Sequence, residues 1–244
     1  MRDVSVLLTR FSLPHPIWNQ RSTAEYEAWI EIRLDLMARY TVPSVRNLYV
    51  KPDIWLVFVG THSPEILAKI EQVVSFSNTK VILVPYTGLA LPESIANALR
   101  DQFDLPIRLC TARLDSDDVI ASGYIAAINA ILKETDISKD FAISFPGGAV
   151  YETLENRFSY LSYPDNAFLA HVECLHDWSD AKTVFREMHT VLLKELKETV
   201  YRRSNHPMWC AIVHEHNLAN QSLLQGLCLT FNENELLKKK FGLS

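Results

Sequence analysis

Glycine is scarce in this sequence, with 7 among its 244 residues. The glycines form neither G-x-x-x-x-G-K-S/T nor G-x-G-x-x-G, which excludes the glycine-rich phosphate loops of P-loop and dinucleotide-binding proteins. The G-x-S-x-G pattern of many serine hydrolases is missing as well. Gly147 and Gly148 are adjacent, and we expect a turn there. A phosphate-bearing ligand would therefore have to be held by other groups.

Cysteine is also sparse and follows no recognisable spacing. The 4 cysteines stand far apart, at Cys110, Cys174, Cys210 and Cys228. Without a C-x-x-C pair, this distribution is typical of reduced thiols and gives no support for a disulfide framework or a zinc site. It favours a cytoplasmic location.

Long apolar runs and basic clusters are missing too. The longest apolar run, residues 54–59, is far too short to span a bilayer. Asp3 and Arg10 interrupt the start of the chain, which does not read as a signal peptide. The formal net charge is −5, and the 24 Lys and Arg residues are spread along the chain. We therefore expect no transmembrane segment and no nucleic-acid partner, and the sequence leaves the oligomeric state open.

What the chain does have is 48% apolar residues and an alternation of strand-like and helix-like segments up to about residue 145. This alternation predicts an α/β fold with a largely parallel sheet. The predicted strands cover residues 4–9, 53–60, 80–85 and 107–114. Shorter strands follow at residues 141–145, 158–161, 168–172 and 209–213. No linker-like run divides residues 1–244, so we expect one domain.

Helix starts are marked by capping residues. Ser22 and Glu25 have the S-x-x-E spacing of a capping box. Ser63 followed by Pro64 is typical of an N-cap and a first helical position. A further helix is predicted from Pro92, and another from about Asp118.

Asp115, Asp117 and Asp118 crowd the end of the fourth predicted strand, in "LCTARLDSDDVI". Like charges repel one another and raise one another's pKa, so such a cluster needs a stabilising partner. Ligands of open α/β proteins bind beyond the carboxyl ends of the strands, and carboxylates suit Mg²⁺ or Mn²⁺ together with phosphate oxygens. One interpretation is a metal-held diphosphate. The alternative is that Asp115 or Asp117 caps the helix predicted from about Asp118.

His214 ends the strand predicted at residues 209–213 and is followed by Glu215 and His216. An imidazole at this strand end could complete the metal site, or it could simply terminate the strand at the surface. Glu173 follows an apolar strand, and partial burial would suit it to general acid or base work. A solvated loop acid is the alternative interpretation.

Arg10 and Arg113 end apolar strands. Their guanidinium groups could contact phosphate oxygens, or Arg113 could form a structural ion pair with one of the aspartates.

These residues resemble the putative rhamnosyltransferase family of glycosyltransferases, which has the GT-A type of nucleotide-sugar-binding fold. The resemblance covers most of the chain. It rests on "TRFSLP", Trp29 with Arg33, "TVPSV", "DIWLVFVG", "TARLDSDD", Val172 with Glu173, "TVFREMH", "WCAIVHEHN" and Asn220. The segment "TARLDSDD" is the most specific of these. The family pattern also predicts a strand at residues 182–185.

The resemblance implies metal-dependent transfer of a sugar, rhamnose by the family's name, from a nucleotide-diphosphate donor to a glycan or other hydroxyl acceptor. Asp117 and His214 would bind Mn²⁺ or Mg²⁺, and Asp115 would contact the ribose or the metal's water shell. Asp118 would touch the donor sugar or orient Arg113. Residues 1–118 would form the nucleotide-binding half, and residues 119–244 the acceptor and catalytic half.

Glu173 is, by the same resemblance, the expected catalytic acid or base. Inversion at the anomeric carbon is expected, since a single displacement needs no further group.

Two other functions fit parts of the pattern. "LDSDDV" formally matches the D-x-D-x-T/V motif of haloacid-dehalogenase phosphatases, with Asp115 as nucleophile and Asp117 as acid or base. That motif requires a later Gly-Asp loop, which the sequence lacks. The third possibility is a non-catalytic module that binds nucleotide sugars.

Overall fold

The computed structural model describes residues 1–13, 22–86, 88–136, 138–196, 198–215 and 227–243. His216 and Asn220 lie outside these residues. The strands are β1 (Arg2–Arg10), β2 (Ile54–Val59), β3 (Val81–Pro85), β4 (Ile107–Arg113), β5 (Val119–Ile120), β6 (Phe141–Ser144), β7 (Gly147–Glu152), β8 (Arg157–Ser162), β9 (Ala170–Leu175), β10 (Thr199–Tyr201), β11 (Trp209–Val213) and β12 (Leu227–Cys228). The helices are α1 (Thr23–Leu36), α2 (Val42–Arg46), α3 (Pro64–Ser75), α4 (Leu91–Arg100), α5 (Tyr124–Glu134), α6 (His189–Glu195) and α7 (Phe231–Phe241).

Within the described residues, the strands form two sheets. The larger has seven strands in the order β10-β6-β9-β4-β1-β2-β3. The pairs β4-β1, β1-β2, β2-β3 and β10-β6 are parallel, whereas β9 runs antiparallel to both of its neighbours. The smaller sheet has the order β12-β8-β7-β11-β5. The expected α/β class with a mixed, mostly parallel central sheet is confirmed.

Helices cover both faces of the large sheet, because its central strands are apolar on both sides. β2 is buried along its whole length. Side chains of α1, α3 and α5 pack on one face, and those of α4 and α6 pack on the other. Across the described ranges, no helix is both long and apolar enough to cross a membrane.

The capping signals place the first helices correctly. Ser22 accepts a hydrogen bond from Glu25 N–H at 3.3 Å and completes the predicted capping box of α1. Ser63 caps α3 with Pro64 in its first turn. α1 continues into a π-helical turn, Met37–Thr41, before α2.

Three local predictions are wrong. Residues 119–120 form β5 and the next helix begins at Tyr124 with Gly123 as its N-cap, so the aspartates do not cap a helix. Gly147 and Gly148 open β7 rather than a turn. A Cβ on Gly148 would lie 2.2 Å from the Trp209 ring, so tertiary packing requires glycine here. Residues 182–185 form no strand, since the chain turns at Thr183 with φ +59°.

Candidate active site

Two neighbouring parallel strands bring arginines to one edge of the large sheet. β1 ends at Arg10 and β4 ends at Arg113. The register pairs Leu8 with Arg113, so both strand ends lie at the same edge. Ligands bind beyond this edge in open α/β folds. The predicted placement of both arginines at strand ends is confirmed.

Asp115 is held by these two arginines. Arg113 Nη2 lies 2.6 Å from Asp115 Oδ2 and Arg113 Nε lies 3.2 Å from Oδ1, which is a forked, two-point contact. Arg10 Nη2 lies 3.5 Å from Oδ1. Burial alone would raise the pKa of Asp115, but the charge and hydrogen bonds of Arg113, with Arg10, bring it below its usual value. Asp115 is therefore ionised at neutral pH.

Asp117 is held by a cation from α1. Arg33 Nη1 lies 2.8 Å from Asp117 Oδ2 and Arg33 Nη2 lies 3.2 Å from Oδ1. Arg33 Nη2 also donates to Ser116 Oγ. The guanidinium carbon lies 5.9 Å from the Trp29 ring centroid, one helical turn earlier. α1 therefore delivers a positive charge into the acidic loop.

His214 reaches the same carboxylate from the smaller sheet. Its Nε2 lies 3.2 Å from Asp117 Oδ2, and the side chain is buried. Burial opposes ionisation of Asp117, but the hydrogen bond of His214 and the charge of Arg33 outweigh it and lower the pKa of Asp117 to about 2. The predicted proximity of His214 to the aspartates is thus present in the structure.

Asp118 links the acidic loop to β11. Its Oδ1 accepts the Ile212 N–H at 2.9 Å, and its carbonyl accepts the Thr41 hydroxyl at 2.9 Å. Burial, followed by the charges of Asp117 and Asp115, raises the pKa of Asp118 well above its usual value. This bridge positions the end of β11, and with it His214.

Three guanidinium groups converge on the loop. Those of Arg10, Arg33 and Arg113 face the two ionised carboxylates of Asp115 and Asp117. Guanidinium groups also bind the oxygens of phosphate groups, so they could hold an anion such as a diphosphate.

The donors at Asp117 and His214 fit a Mg²⁺ or Mn²⁺ ion in type and in number. Such ions take one or two carboxylates and complete their shell with phosphate oxygens and water. Among the residues that the structure describes, no group of three or more His, Cys, Asp or Glu side chains forms a complete protein-only metal centre. Arg33 already occupies both oxygens of Asp117, so a metal ion here would share that carboxylate with the guanidinium.

Glu173 is not brought to this cluster. It lies inside β9, opposite Leu109 of β4. Arg113 follows Leu109 by four positions, which places Glu173 about 13 Å back from the strand end at about 3.3 Å per residue. Its role as catalytic acid or base stays a prediction. In the structure its carboxylate forms hydrogen bonds with a turn of the chain.

The Glu173 carboxylate anchors a turn. It is 2% exposed, and its oxygens accept the N–H groups of Lys182 at 2.9 Å and Thr183 at 2.8 Å. Burial raises the pKa of Glu173 to about 7, although both N–H groups act in the opposite direction. Burial lowers the pKa of His171 to about 4, so this imidazole is neutral. Its Nδ1 lies 3.9 Å from Glu173 Oε1. No guanidinium contacts Glu173 among the described residues.

The anchored turn leads back to the arginines. Phe185 lies under Arg10, with the guanidinium carbon 5.2 Å from the ring centroid. Burial, and secondarily the positive charge of Arg113, lower the pKa of His189. The segment that Glu173 holds at Lys182 and Thr183 thus continues to Phe185, which contacts Arg10.

A second group of side chains lies where β1 and β2 end. Ser12 Oγ lies 2.6 Å from His62 Nε2 and accepts the Gly60 N–H at 3.1 Å. The Tyr26 ring stacks on His62 with centroids 5.9 Å apart.

The sequence pattern alone does not identify Arg33 or Phe185 as site residues. The available signal for Arg33 was its spacing of four from Trp29 on one helix, which puts both side chains on one face. The spacing could not reveal that this face meets a loop 84 residues later in the chain.

The model of the family described as putative rhamnosyl transferase matches residues 4–225. No curated protein sequence matches the chain.

Three solved structures are similar to this chain at low sequence identity. S. aureus TarS 1–349 in complex with UDP-GlcNAc has a TM-score of 0.52 at 10% identity, covering 99% of this chain and 73% of that chain. Another structure of TarS 1–349 has a TM-score of 0.46 at 10% identity, covering 86% of this chain, which spans 60% of that one. The inositol-1-phosphate CTP transferase of T. maritima has a TM-score of 0.43 at 11% identity, covering 97% of this chain and 96% of that chain. The UDP-GlcNAc complex of TarS confirms the expected GT-A-like fold.

Proposed function

Because the chain belongs to the putative rhamnosyl transferase family and is a glycosyltransferase, we propose that it moves a sugar from a nucleoside-diphosphate donor to a hydroxyl acceptor. The observation that carries this proposal is the strand-end cluster, in which arginines on two strands and one helix pair with Asp115 and Asp117. This arrangement suits a diphosphate because three guanidinium groups lie close to two possible metal ligands.

We propose that Asp117 and His214 hold Mn²⁺ or Mg²⁺. When bound, the ion would offset negative charge that develops on the leaving diphosphate. Arg10, Arg33 and Arg113 supply fixed positive charge to the same oxygens, as preorganised groups that need no rearrangement during the reaction. Asp115 keeps Arg113 and Arg10 oriented toward the edge of the sheet.

The nucleotide base would lie at the ends of β1 and β2. There the stacked pair of Tyr26 and His62 offers an aromatic surface beside the hydroxyl of Ser12. In TarS a bound UDP-GlcNAc accompanies the same type of fold, which supports a uridine or similar base as the first to test.

Inversion by a single displacement is the proposed stereochemical course. A double displacement needs a carboxylate free to act as nucleophile. Asp115 and Asp117 are each engaged by guanidinium groups, and Asp118 accepts a backbone N–H. Rhamnose is the proposed sugar, on the family's description.

The phosphatase interpretation is not favoured. The family match is to transferases, and the nucleophile it requires, Asp115, has its carboxylate engaged by Arg113 and Arg10.

The test is a screen of nucleotide sugars by thermal unfolding, with Mn²⁺ or with EDTA. A ligand that binds the folded state at 100 times its Kd adds about 2.7 kcal/mol of stability and raises the midpoint. We expect a nucleoside-diphosphate sugar, with rhamnose donors first, to raise the midpoint more with Mn²⁺ than with EDTA. Absence of stabilisation by every nucleoside diphosphate would contradict the proposal, and equal stabilisation under both conditions would contradict the metal.

A further inference from the structure

A cavity of about 640 Å³ opens at the ends of β6 and β10. Its lining includes Gly147, Tyr160, Ser162, Tyr201 and Arg203. β6 runs parallel to β4 with β9 between them, so the cavity opens at the same edge of the large sheet as the aspartates. Two strand spacings of about 4.8 Å separate β6 from β4, a sideways distance of about 10 Å.

Hydrogen bonds fix the walls of the cavity. Tyr163 N–H donates to the Pro146 carbonyl at 2.8 Å, and Arg202 N–H donates to the Ser144 carbonyl at 2.9 Å. The buried Asn166 amide donates to the carbonyls of Phe145 at 3.1 Å and Tyr163 at 2.9 Å. A cavity held in this way needs little ordering when a ligand enters, which favours binding.

Glycine at position 147 shapes the cavity. A Cβ there would lie 2.9 Å from Tyr160 Oη, so the missing side chain allows the tyrosine to lie across β7. Tyr160 remains 38% exposed and Tyr201 49% exposed. Their rings and hydroxyls offer both an apolar surface and hydrogen-bonding groups.

Arg203 gives the cavity a positive charge. Its side chain is exposed and has no carboxylate partner among the residues that the structure describes. The adjacent Arg202 differs, since its guanidinium pairs with Glu134. Asp165, 3.4 Å from the Tyr201 hydroxyl, is the nearby negative charge. An unpaired guanidinium can bind a carboxylate or phosphate through two parallel hydrogen bonds.

We propose that this cavity binds the acceptor, and that the acceptor is a carbohydrate bearing a carboxylate or phosphate group recognised by Arg203. This inference rests on the proposed function. The tyrosines contact the sugar ring, the serine hydroxyl contacts its hydroxyl groups, and Arg203 pairs with the anion. The acceptor hydroxyl then faces the diphosphate about two strands away.

The test measures binding without requiring turnover. Methyl glucuronide, glucose 6-phosphate and methyl glucoside are titrated into the protein, and their dissociation constants are measured by saturation-transfer NMR. We expect at least one anionic probe to bind more tightly than methyl glucoside. Binding of methyl glucuronide identifies a carboxylate, and binding of glucose 6-phosphate identifies a phosphate.

Arg203→Ala should weaken the anionic probe by about tenfold or more, since hydrogen bonds to charged groups are among the stronger ones. Arg202→Ala is the matched control, and we expect it to leave binding unchanged. Gly147→Ala should also weaken binding, because Tyr160 must move. Equal binding of charged and neutral probes, or equal effects of the two arginine variants, would overturn the proposal.

The failure of this inference is distinguishable from failure of the proposed function. If nucleoside diphosphates stabilise the protein but anionic probes do not bind, the cavity assignment is overturned alone. If no nucleoside diphosphate stabilises the protein, the donor assignment falls, and with it the acceptor role of the cavity.

Discussion

Two sets of acids, Asp115 and Asp117 in the loop after β4 and Glu173 within β9, differ in what faces them. Asp115 and Asp117 face guanidinium groups, and their pKa values lie below the usual range, at about 2 for Asp117. Glu173 faces backbone N–H groups and a neutral imidazole, and burial raises its pKa to about 7.

These different surroundings keep the Asp117 carboxylate ionised and bring the pKa of Glu173 close to neutral pH. Two N–H donors do not offset the loss of water around Glu173, whereas the hydrogen bond of His214 and the charge of Arg33 do so for Asp117. The strand-end aspartates are therefore suited to binding cations, whereas Glu173 is suited to stabilising the turn at Lys182 and Thr183.

Asp117→Asn has the largest expected effect. The neutral amide cannot replace the carboxylate between Arg33 and His214, so the rate of transfer should fall on the order of 10²–10³-fold. Breaking a buried ion pair lowers the free energy of unfolding by about 3–5 kcal/mol. The rate is therefore measured at a temperature at which circular dichroism shows the variant folded.

Asp35→Asn is the matched control. Asp35 lies in α1, as Arg33 does, and it forms an exposed ion pair with Arg39 of the following π-helical turn. It should leave both rate and stability nearly unchanged. If Asp117→Asn transferred sugar as fast as Asp35→Asn, the proposed role of Asp117 in the reaction would be wrong. If the unmodified protein bound nucleotide sugars but transferred none, the chain would be a non-catalytic nucleotide-sugar-binding module.

Glu173→Gln tests the other side of the comparison. A glutamine amide accepts one N–H but turns its NH₂ group toward the other, so we expect a loss of about 1–3 kcal/mol in the free energy of unfolding. Transfer should fall less than the 10²–10⁴-fold, as an order of magnitude, that loss of a general acid or base produces. A loss in that larger range would support the predicted catalytic role instead.

The stability deficit of this variant, relative to the unmodified protein, should also depend on pH in a defined direction. The pKa of Glu173 rises from 4.5 to about 7 on folding, so the folded state binds the proton more tightly. Its contribution to stability is fully present below the lower value and is lost as pH rises through the higher one. Glutamine does not titrate, so urea unfolding should show the largest deficit near about pH 4 and a smaller one near about pH 8.

Glu198→Gln is the control for this series, since Glu198 is an exposed acid paired with Lys139 at 3.1 Å. A deficit for Glu173→Gln that grew with pH would contradict the assignment.

Asp117 provides the opposite case. Its folded pKa of about 2 lies below 3.8, so its contribution is present above 3.8 and is lost as pH falls through 2.

Much of the fold could be predicted because its signals are local. Apolar runs located β1, β2 and β4, and side-chain caps located α1 and α3. The strand ends then placed Arg10, Arg113 and the aspartates together, since parallel strands end at one edge.

The remainder depends on contacts between distant segments. The turn at Thr183 is held by Glu173 on another strand, and the glycines of β7 are required by Trp209 and Tyr160. Neither partner is visible in the local pattern. The position of Glu173 was inferred from its place after an apolar run, which does not show whether the residue stands at a strand end or within it.

Phe185→Leu has the smallest expected effect, and it tests whether the two sets of acids are connected. Glu173 holds the turn, the turn carries Phe185, and Phe185 lies 5.2 Å from the guanidinium of Arg10. Leucine keeps an apolar side chain but removes the cation–π contact, which contributes about 0.5–1 kcal/mol. We expect the KM for the donor to rise about two- to fivefold with kcat unchanged, since Arg10 binds the diphosphate before and during transfer.

Phe103→Leu is the matched control, because Arg2 lies 5.3 Å from the Phe103 ring in a comparable contact away from the aspartates. It should leave the KM unchanged. A rise in the donor KM for Phe185→Leu alone shows that the turn orients Arg10. Equal KM values in both variants would mean that Glu173 stabilises the fold without acting on the donor site, and the two sets of acids would then be independent.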